Sequence, residues 1–181
     1  MVGNVIMVKK RINISIKVVV VLISIFFIYR YAQYILVWYV NPNINVDGIK
    51  LMTAEDKAKN ILGVEDEYVL GINGCAFYLK YNTKGIYLNF LGDIDTDFYR
   101  KVNSIKIKNG KYSIYNLKVD DNYEDALKSI QKRGFKPKKE LSSDYFWKMN
   151  IYIILERNYE NDTVKSITIG VRDRVASTRV Y

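Results

Sequence analysis

Histidine is absent from this chain of 181 residues, and cysteine occurs only once, at Cys75. Without histidine the chain lacks the usual general base, the Ser-His and Cys-His pairs of nucleophilic catalysis, and the commonest zinc ligand. A single cysteine excludes an intrachain disulfide, so the fold must be held by its hydrophobic core. Because no nucleophile is paired with a base, the sequence predicts a protein that is not an enzyme and uses no cofactor.

Acidic residues are absent before Asp47, whereas basic residues occur early in the chain. Residues 18–40 are apolar or aromatic almost throughout, with Arg30 as the one charge. About 20 mainly apolar residues cross a bilayer as a helix, and basic residues stay on the cytoplasmic side. The sequence therefore predicts a cytoplasmic basic tail (1–17), a transmembrane signal anchor (18–40) and an extracytoplasmic domain (41–181). The register of the anchor stays open between residues 12–29 and residues 18–38.

The charge balance argues against a nucleic-acid partner. The chain has 28 basic and 19 acidic residues, for a net charge of +9. Five of the basic residues lie in the first forty positions, so the remainder is only mildly basic. Nucleic-acid-binding proteins have a clustered and stronger positive charge. No phosphate-binding motif or carboxylate pair stands out, and we expect no small-molecule substrate.

Residues 41–181 have the pattern of helices followed by antiparallel strands. Helices are predicted after capping-box-like starts at Thr53 with Asp56 and at Asp121 with Glu124. Alternating segments at residues 75–81 and 86–90 predict a hairpin. A third strand at residues 102–108 is followed by Asn109-Gly110, which predicts a second hairpin and a fourth strand at residues 111–115.

Similar segments recur further along the chain. Residues 151–155 resemble residues 86–90, and residues 164–169 resemble residues 102–107. The second copy departs from the first around residues 141–149. The predicted fold class is therefore α+β: the transmembrane helix, then two tandem helix-plus-antiparallel-strand repeats. The repeats form one curved sheet with helices on one face.

The other face of this sheet is predicted to be open. Alternation places polar and aromatic residues on it, with Lys108, Ser166 and Thr168 among them. Tyrosine supplies contact area and a hydrogen bond at low entropic cost, which suits protein binding. A solvated face with aromatics that follow strand propensity is an equal alternative. The candidate partner-binding residues are Tyr78, Lys80, Tyr87, Asn89, Ser104, Lys106, Tyr152, Ile154 and Glu156.

Asp93, Asp95 and Asp97 resemble the start of a calcium-binding loop. Such a loop continues with glycine and ends with glutamate at its twelfth position. Phe98 and Ser104 occupy those positions here. The sequence favours a charged loop and leaves calcium binding open.

The layout of the chain, with the segments Gly74–Tyr81 and Val164–Ile167, resembles the TipC family of immunity proteins. The resemblance implies a membrane-anchored protein of Gram-positive bacteria that protects against a toxin exported by type VII secretion. It also implies that the open sheet face engages the toxin. The repeat is similar to those of beta-lactamase-inhibitor and outer-membrane assembly lipoprotein domains, which are also binders.

The predicted function is therefore that of an extracytoplasmic immunity protein, which binds a secreted protein toxin and is held to the membrane through residues 18–40. An envelope structural or sensory protein that binds another membrane protein or a wall polymer is the alternative. An enzyme that acts on wall or lipid substrates is the third possibility.

Overall fold

The computed structural model describes residues 2–71, 75–138, 144–173 and 175–176. It consists of two compact units, Met1–Ile35 and Leu36–Tyr181. The first unit is formed by most of helix α1, Val2–Val40. Within it, the apolar side chains between Ile16 and Ile28 are exposed.

Among the residues that the structure describes, no helix is long and apolar enough to span a membrane. The predicted transmembrane helix at residues 18–40 is therefore wrong. Helix α1 does cover this segment, but its last turn belongs to the second unit. Val37 and Val40 are buried there in the hydrophobic core, so protein rather than lipid surrounds them.

The second unit contains two helices and ten strands among its described residues. The helices are α2 (Glu55–Leu62) and α3 (Tyr123–Lys132), and short 3-10 turns lie at Asn41–Asn43 and Asn82–Lys84. The strands are β1 (Ile44–Asn45), β2 (Glu67–Leu70), β3 (Ala76–Tyr81), β4 (Ile86–Leu91), β5 (Val102–Ile107), β6 (Ser113–Ile114), β7 (Lys136–Pro137), β8 (Tyr145–Lys148), β9 (Ile151–Asn158) and β10 (Thr163–Val171).

Eight of these strands form one sheet in the order β2-β3-β4-β5-β10-β9-β8-β7. Every pair of neighbours is antiparallel. The chain therefore runs twice through a helix followed by strands, and the last strands of the two halves, β5 and β10, meet at the centre. β8 lies inside residues 141–149, where the sequence showed no clear turn before Ile151, and residues 141–143 are outside the described residues.

The predicted hairpin of residues 75–81 and 86–90 is confirmed. β3 pairs with β4 from Ala76 opposite Leu91 to Tyr81 opposite Ile86. The turn ends at Gly85, whose φ of 67° lies in the left-handed region that glycine adopts without strain.

The predicted hairpin at Asn109-Gly110 is wrong. β5 already has β4 on one side and β10 on the other, so neither edge can accept a further strand. The chain after Gly110 leaves the sheet, and β6 pairs instead with β1, Ile114 opposite Ile44. A local turn signal cannot show that both edges of the preceding strand are occupied by distant segments.

The predicted helix caps also differ from the observed ones. α2 begins after Ala54, with no side-chain cap, and the hydroxyl oxygen of Thr53 accepts a hydrogen bond from the Lys50 N–H at 3.1 Å. In α3 the cap is Asn122, one residue after Asp121, and it accepts from the Asp125 N–H at 3.1 Å. Asp121 accepts from the Lys118 N–H at 2.7 Å and shapes the turn before the helix.

The hydrophobic core lies between the helices and one face of the large sheet. Ala58 and Leu62 of α2 and Ala126 and Ile130 of α3 are buried in it. Strand alternation supplies the sheet side of the core, because every second residue points to the same face. These inward residues include Phe77, Leu79, Ile86, Leu88, Ile105, Ile107, Ile151, Ile153, Leu155, Ile167 and Ile169.

We predict that Ile153→Ala destabilises the domain by about 2–5 kcal/mol, because it leaves a cavity in a packed interior. Ile153 is fully buried on the central part of the sheet, at 0 % exposure. Ile61→Ala is the matched control, since Ile61 is 39 % exposed on α2. Chemical denaturation of both variants measures the difference. Equal losses would contradict the observed placement of the core.

Candidate functional site

Two rows of side chains cross the open sheet face, which is the face opposite the core. The register opposes Tyr78 to Asn89, Asn89 to Ser104, and Ser104 to Gly170. Gly170 then opposes Tyr152, which completes the first row towards β8. The second row follows the same strands and contains Glu67, Lys80, Tyr87, Lys106, Thr168, Ile154 and Tyr145.

The two rows line a cavity of about 480 Å³. Of the candidate residues, only Glu156 is outside its lining, and Val69 and Thr168 complete it. The cavity thus brings together six strands from both halves of the sheet. The candidate residues in its lining are Tyr78, Lys80, Tyr87, Asn89, Ser104, Lys106, Tyr152 and Ile154.

The floor of the cavity is polar. Asn89 and Thr168 are each 9 % exposed and face the opening. Burial raises the pKa of Tyr152, and the nearby Tyr78 acts in the same direction, while a hydrogen bond with Ser104 opposes the change. Tyr152 is therefore a neutral hydroxyl at physiological pH, able to donate or accept a hydrogen bond.

Gly170 makes room for Tyr152. A Cβ atom at Gly170 would lie 2.3 Å from Cζ and 2.4 Å from the hydroxyl oxygen of Tyr152. Those distances are far below van der Waals contact, so the ring can lie across the strand only because residue 170 has no side chain. Glycine weakens a strand interior, and close approach of another group is a recognised reason for it there.

Ion pairs lie along the rim of the cavity. Lys80 contacts Glu67 at 3.0 Å, and Lys106 on β5 contacts Glu156 on β9 across the intervening β10. Lys108 Nζ lies 4.7 Å from the centroid of the Tyr87 ring. Burial favours the neutral form of Glu156, but the hydrogen bond from Lys106 and the charges of Lys106 and Lys108 outweigh it and lower its pKa.

An aromatic cluster of Tyr145, Trp147 and Tyr152 continues the site beyond the first cavity. Ring centroids are 5.5 Å apart for Tyr145 and Trp147 and 5.3 Å apart for Tyr145 and Tyr152. Lys138 Nζ lies 5.2 Å from the Trp147 ring, and Arg172 Cζ lies 5.9 Å from it. The cluster borders a second cavity of about 390 Å³.

Sequence reasoning missed this cluster. Its signal was the alternation of Tyr145 and Trp147 around Phe146, which is buried at 1 % exposure. β8 is four residues long and precedes a turn at Met149, where φ is 56°. So short a strand with one alternation is hard to distinguish from a loop.

No group of three or more acidic or cysteine side chains that could hold a metal ion occurs within the described ranges. Asp93, Asp95 and Asp97 lie in the loop between β4 and β5. The Thr96 hydroxyl closes this loop by donating to the carbonyl oxygen of Asp93 at 2.6 Å.

No protein-family model and no curated protein matches this chain. A crystal structure of an extracellular protein containing a SCP domain, from Bacillus anthracis str. Ames, is similar with a TM-score of 0.51 and 8% identity. The match covers 67% of this chain and 44% of that one. A cysteine-rich secretory protein from Staphylococcus aureus subsp. aureus Mu50 gives 0.48 and 12%, over 74% and 48% of the two chains.

The chain thus spans less than half the length of either neighbour. At such low identity, the Bacillus anthracis structure shows a similar fold alone.

We predict that Gly170→Ala displaces the Tyr152 ring, since the new methyl group would occupy its place. The expected cost is about 1 kcal/mol in the free energy of unfolding, together with a changed environment for the ring. Chemical denaturation and tyrosine ring resonances measure the two effects. In a Tyr152→Ala background the same glycine change is expected to cost almost nothing, and an undiminished cost would contradict the contact.

The Lys106–Glu156 pair predicts a small pH dependence. Because the folded state lowers the pKa of Glu156, its stabilisation is complete above the unfolded value of 4.5 and is lost as pH falls through the folded value. The pair is partly exposed, so we expect less than about 1 kcal/mol. Glu156→Gln removes this acid-side loss, which denaturation at several pH values measures. Glu160→Gln, on an exposed turn, is the control and leaves the slope unchanged.

Proposed function

We propose that this chain is a binding protein that engages a protein partner through the open sheet face and acts by occupying the partner's surface. The observation that carries the proposal is the cavity of about 480 Å³, where side chains from six strands converge. Its tyrosines combine apolar area with hydrogen-bonding hydroxyls, which is the composition of energetically important interface residues.

The side chains of this face also contact one another. The rings of Tyr145, Trp147 and Tyr152 stack on one another, and Lys80 and Lys106 are held by ion pairs. Side chains that are already fixed lose less entropy on binding, which favours a stoichiometric binder. A catalytic role has no comparable support, because the hydroxyls and lysines of the cavity are not accompanied by a nucleophile–base pair.

For the partner we propose a secreted antibacterial protein toxin, which would make the chain an immunity protein of the TipC kind. The support is the resemblance in the layout of the helices and strands. We further propose that the domain works outside the cytoplasm. The Bacillus anthracis neighbour is described as extracellular, and the single cysteine avoids mispaired disulfides in an oxidising compartment.

The proposal predicts that Ser104→Arg abolishes partner binding. Ser104 lies at the centre of the first row, and an arginine there would fill the cavity. The matched control is Ser129→Arg on α3, which makes the same substitution on the helix side of the sheet. The full-length chain and both variants are used to retain proteins secreted by the bacterial strain that produces this chain. Each is also expressed in growing cells, to measure whether it protects them against the retained protein.

The proposal is supported if the wild type and Ser129→Arg each retain one toxin-like protein and protect cells against it. Ser104→Arg should then lose both the retention and the protection. Unchanged denaturation curves are required of each variant, so that unfolding does not imitate loss of the interface. If no such protein is retained and no protection is found, the function is not toxin immunity. If Ser104→Arg binds normally, the partner does not use the open sheet face.

A further inference from the structure

Positive charge is concentrated on the open sheet face. Among the described residues, the acidic side chains on this face are Glu67 and Glu156, and Asp173 lies at its rim beside Arg172 in the lining of the second cavity. The basic side chains on it or at its rim are Lys80, Lys106, Lys108, Lys136, Lys138 and Arg172. Basic groups therefore outnumber acidic ones clearly on this side of the sheet.

The helix side has a different balance. α2 contains Glu55 and Asp56 with Lys57 and Lys59, and α3 likewise mixes acidic and basic residues. Residues 41–181 as a whole are only mildly basic. Much of the surplus charge of this part of the chain is therefore gathered where the cavities lie, and not spread over the surface. Charge gathered on one face steers an oppositely charged partner towards it.

Two of the lysines are positioned by aromatic rings. Lys108 lies over Tyr87, and Lys138 lies over Trp147. Neither forms an ion pair with an acidic residue of the described ranges. A ring attracts a cation without neutralising it, so each ammonium group remains able to donate to a carboxylate. Lys80 and Lys106, by contrast, already form ion pairs with Glu67 and Glu156.

The indole N–H of Trp147 is a second, independent observation at this end of the open sheet face. Its Nε1 atom is buried and has no hydrogen-bond acceptor among the described residues. A buried donor without an acceptor is costly, so the position of this ring is unfavourable for its indole N–H in the unbound protein. The same ring borders the cavity of about 390 Å³, where Leu91, Val171 and Ala176 add apolar lining.

We propose that the partner presents an acidic segment to the open sheet face, with an apolar side chain in the cavity beside Trp147. Its carboxylates pair with Lys108 and Lys138. The inference rests on the proposed function, because it takes this face to be the binding surface. A nucleic acid fits less well, since the second cavity is largely apolar and suits an apolar side chain better than a phosphate.

The test uses the full-length chain and three synthetic probes in nuclear magnetic resonance titrations. One probe is a soluble peptide of glutamate and serine with a single phenylalanine, the second has each glutamate replaced by lysine, and the third is an oligothymidylate DNA. The Trp147 indole N–H resonance, assigned with Trp147→Phe, is the reporter. We expect the acidic peptide to shift it, with an affinity that falls as salt is raised.

Charge reversal then locates the contact. Lys138→Glu and Lys108→Glu are each expected to weaken binding of the acidic peptide by about tenfold. Lys57→Glu on α2 makes the same charge change on the helix side, and we expect it to leave the affinity within about twofold. Equal effects of all three substitutions would mean attraction by net charge alone, and would overturn the proposal.

The other outcomes are equally distinct. Binding of the lysine peptide as tightly as the acidic one, or of neither, would overturn the acidic-segment proposal. Tighter binding of the DNA through Lys108 and Lys138 would assign the face to nucleic acid instead. If the peptides fail while Ser104→Arg still abolishes retention of a secreted protein, the open sheet face binds a protein partner of different chemistry, and only the inference about its charge falls.

Discussion

The antiparallel pairing of β5 with β10 joins the two halves of the sheet, and the position of every side chain on the open sheet face depends on its register. Ile105 opposite Ile169 and Ile107 opposite Ile167 place four isoleucines in the core. Side chains alternate between faces with a period of two, so a shift by one residue would bury lysine and expose isoleucine. The free energy of core burial therefore fixes, indirectly, the positions of the residues that line the cavity.

That register also explains the shape of the site. Gly170 lies opposite Ser104 on one side and Tyr152 on the other, at the boundary between the two halves. The absence of a side chain at this point lets the Tyr152 ring reach across β10 to Ser104. The cavity of the first half and the aromatic cluster of the second are thereby connected through one tyrosine, which borders both cavities.

Strand alternation is readable from the sequence, because it is local and strong in β3, β4, β5 and β9. Alternation by itself identifies eight of the residues that line the cavity. The errors came from contacts that the local sequence does not specify. Asn109-Gly110 is a hairpin signal, yet both edges of β5 are occupied by other strands. Residues 36–40 continue an apolar run, yet their last turn packs into the domain core through Val37 and Val40.

The two faces of the sheet are therefore under different constraints. On the inward face a change of one methylene alters packing, because interiors are packed as densely as organic crystals. On the outward face most substitutions cost little folding free energy, as long as the rings and their cations keep their mutual contacts. A partner-binding surface placed there can change its charge pattern without loss of the fold. Under the proposed function, the lysines over Tyr87 and Trp147 therefore bear on the chemistry of the partner.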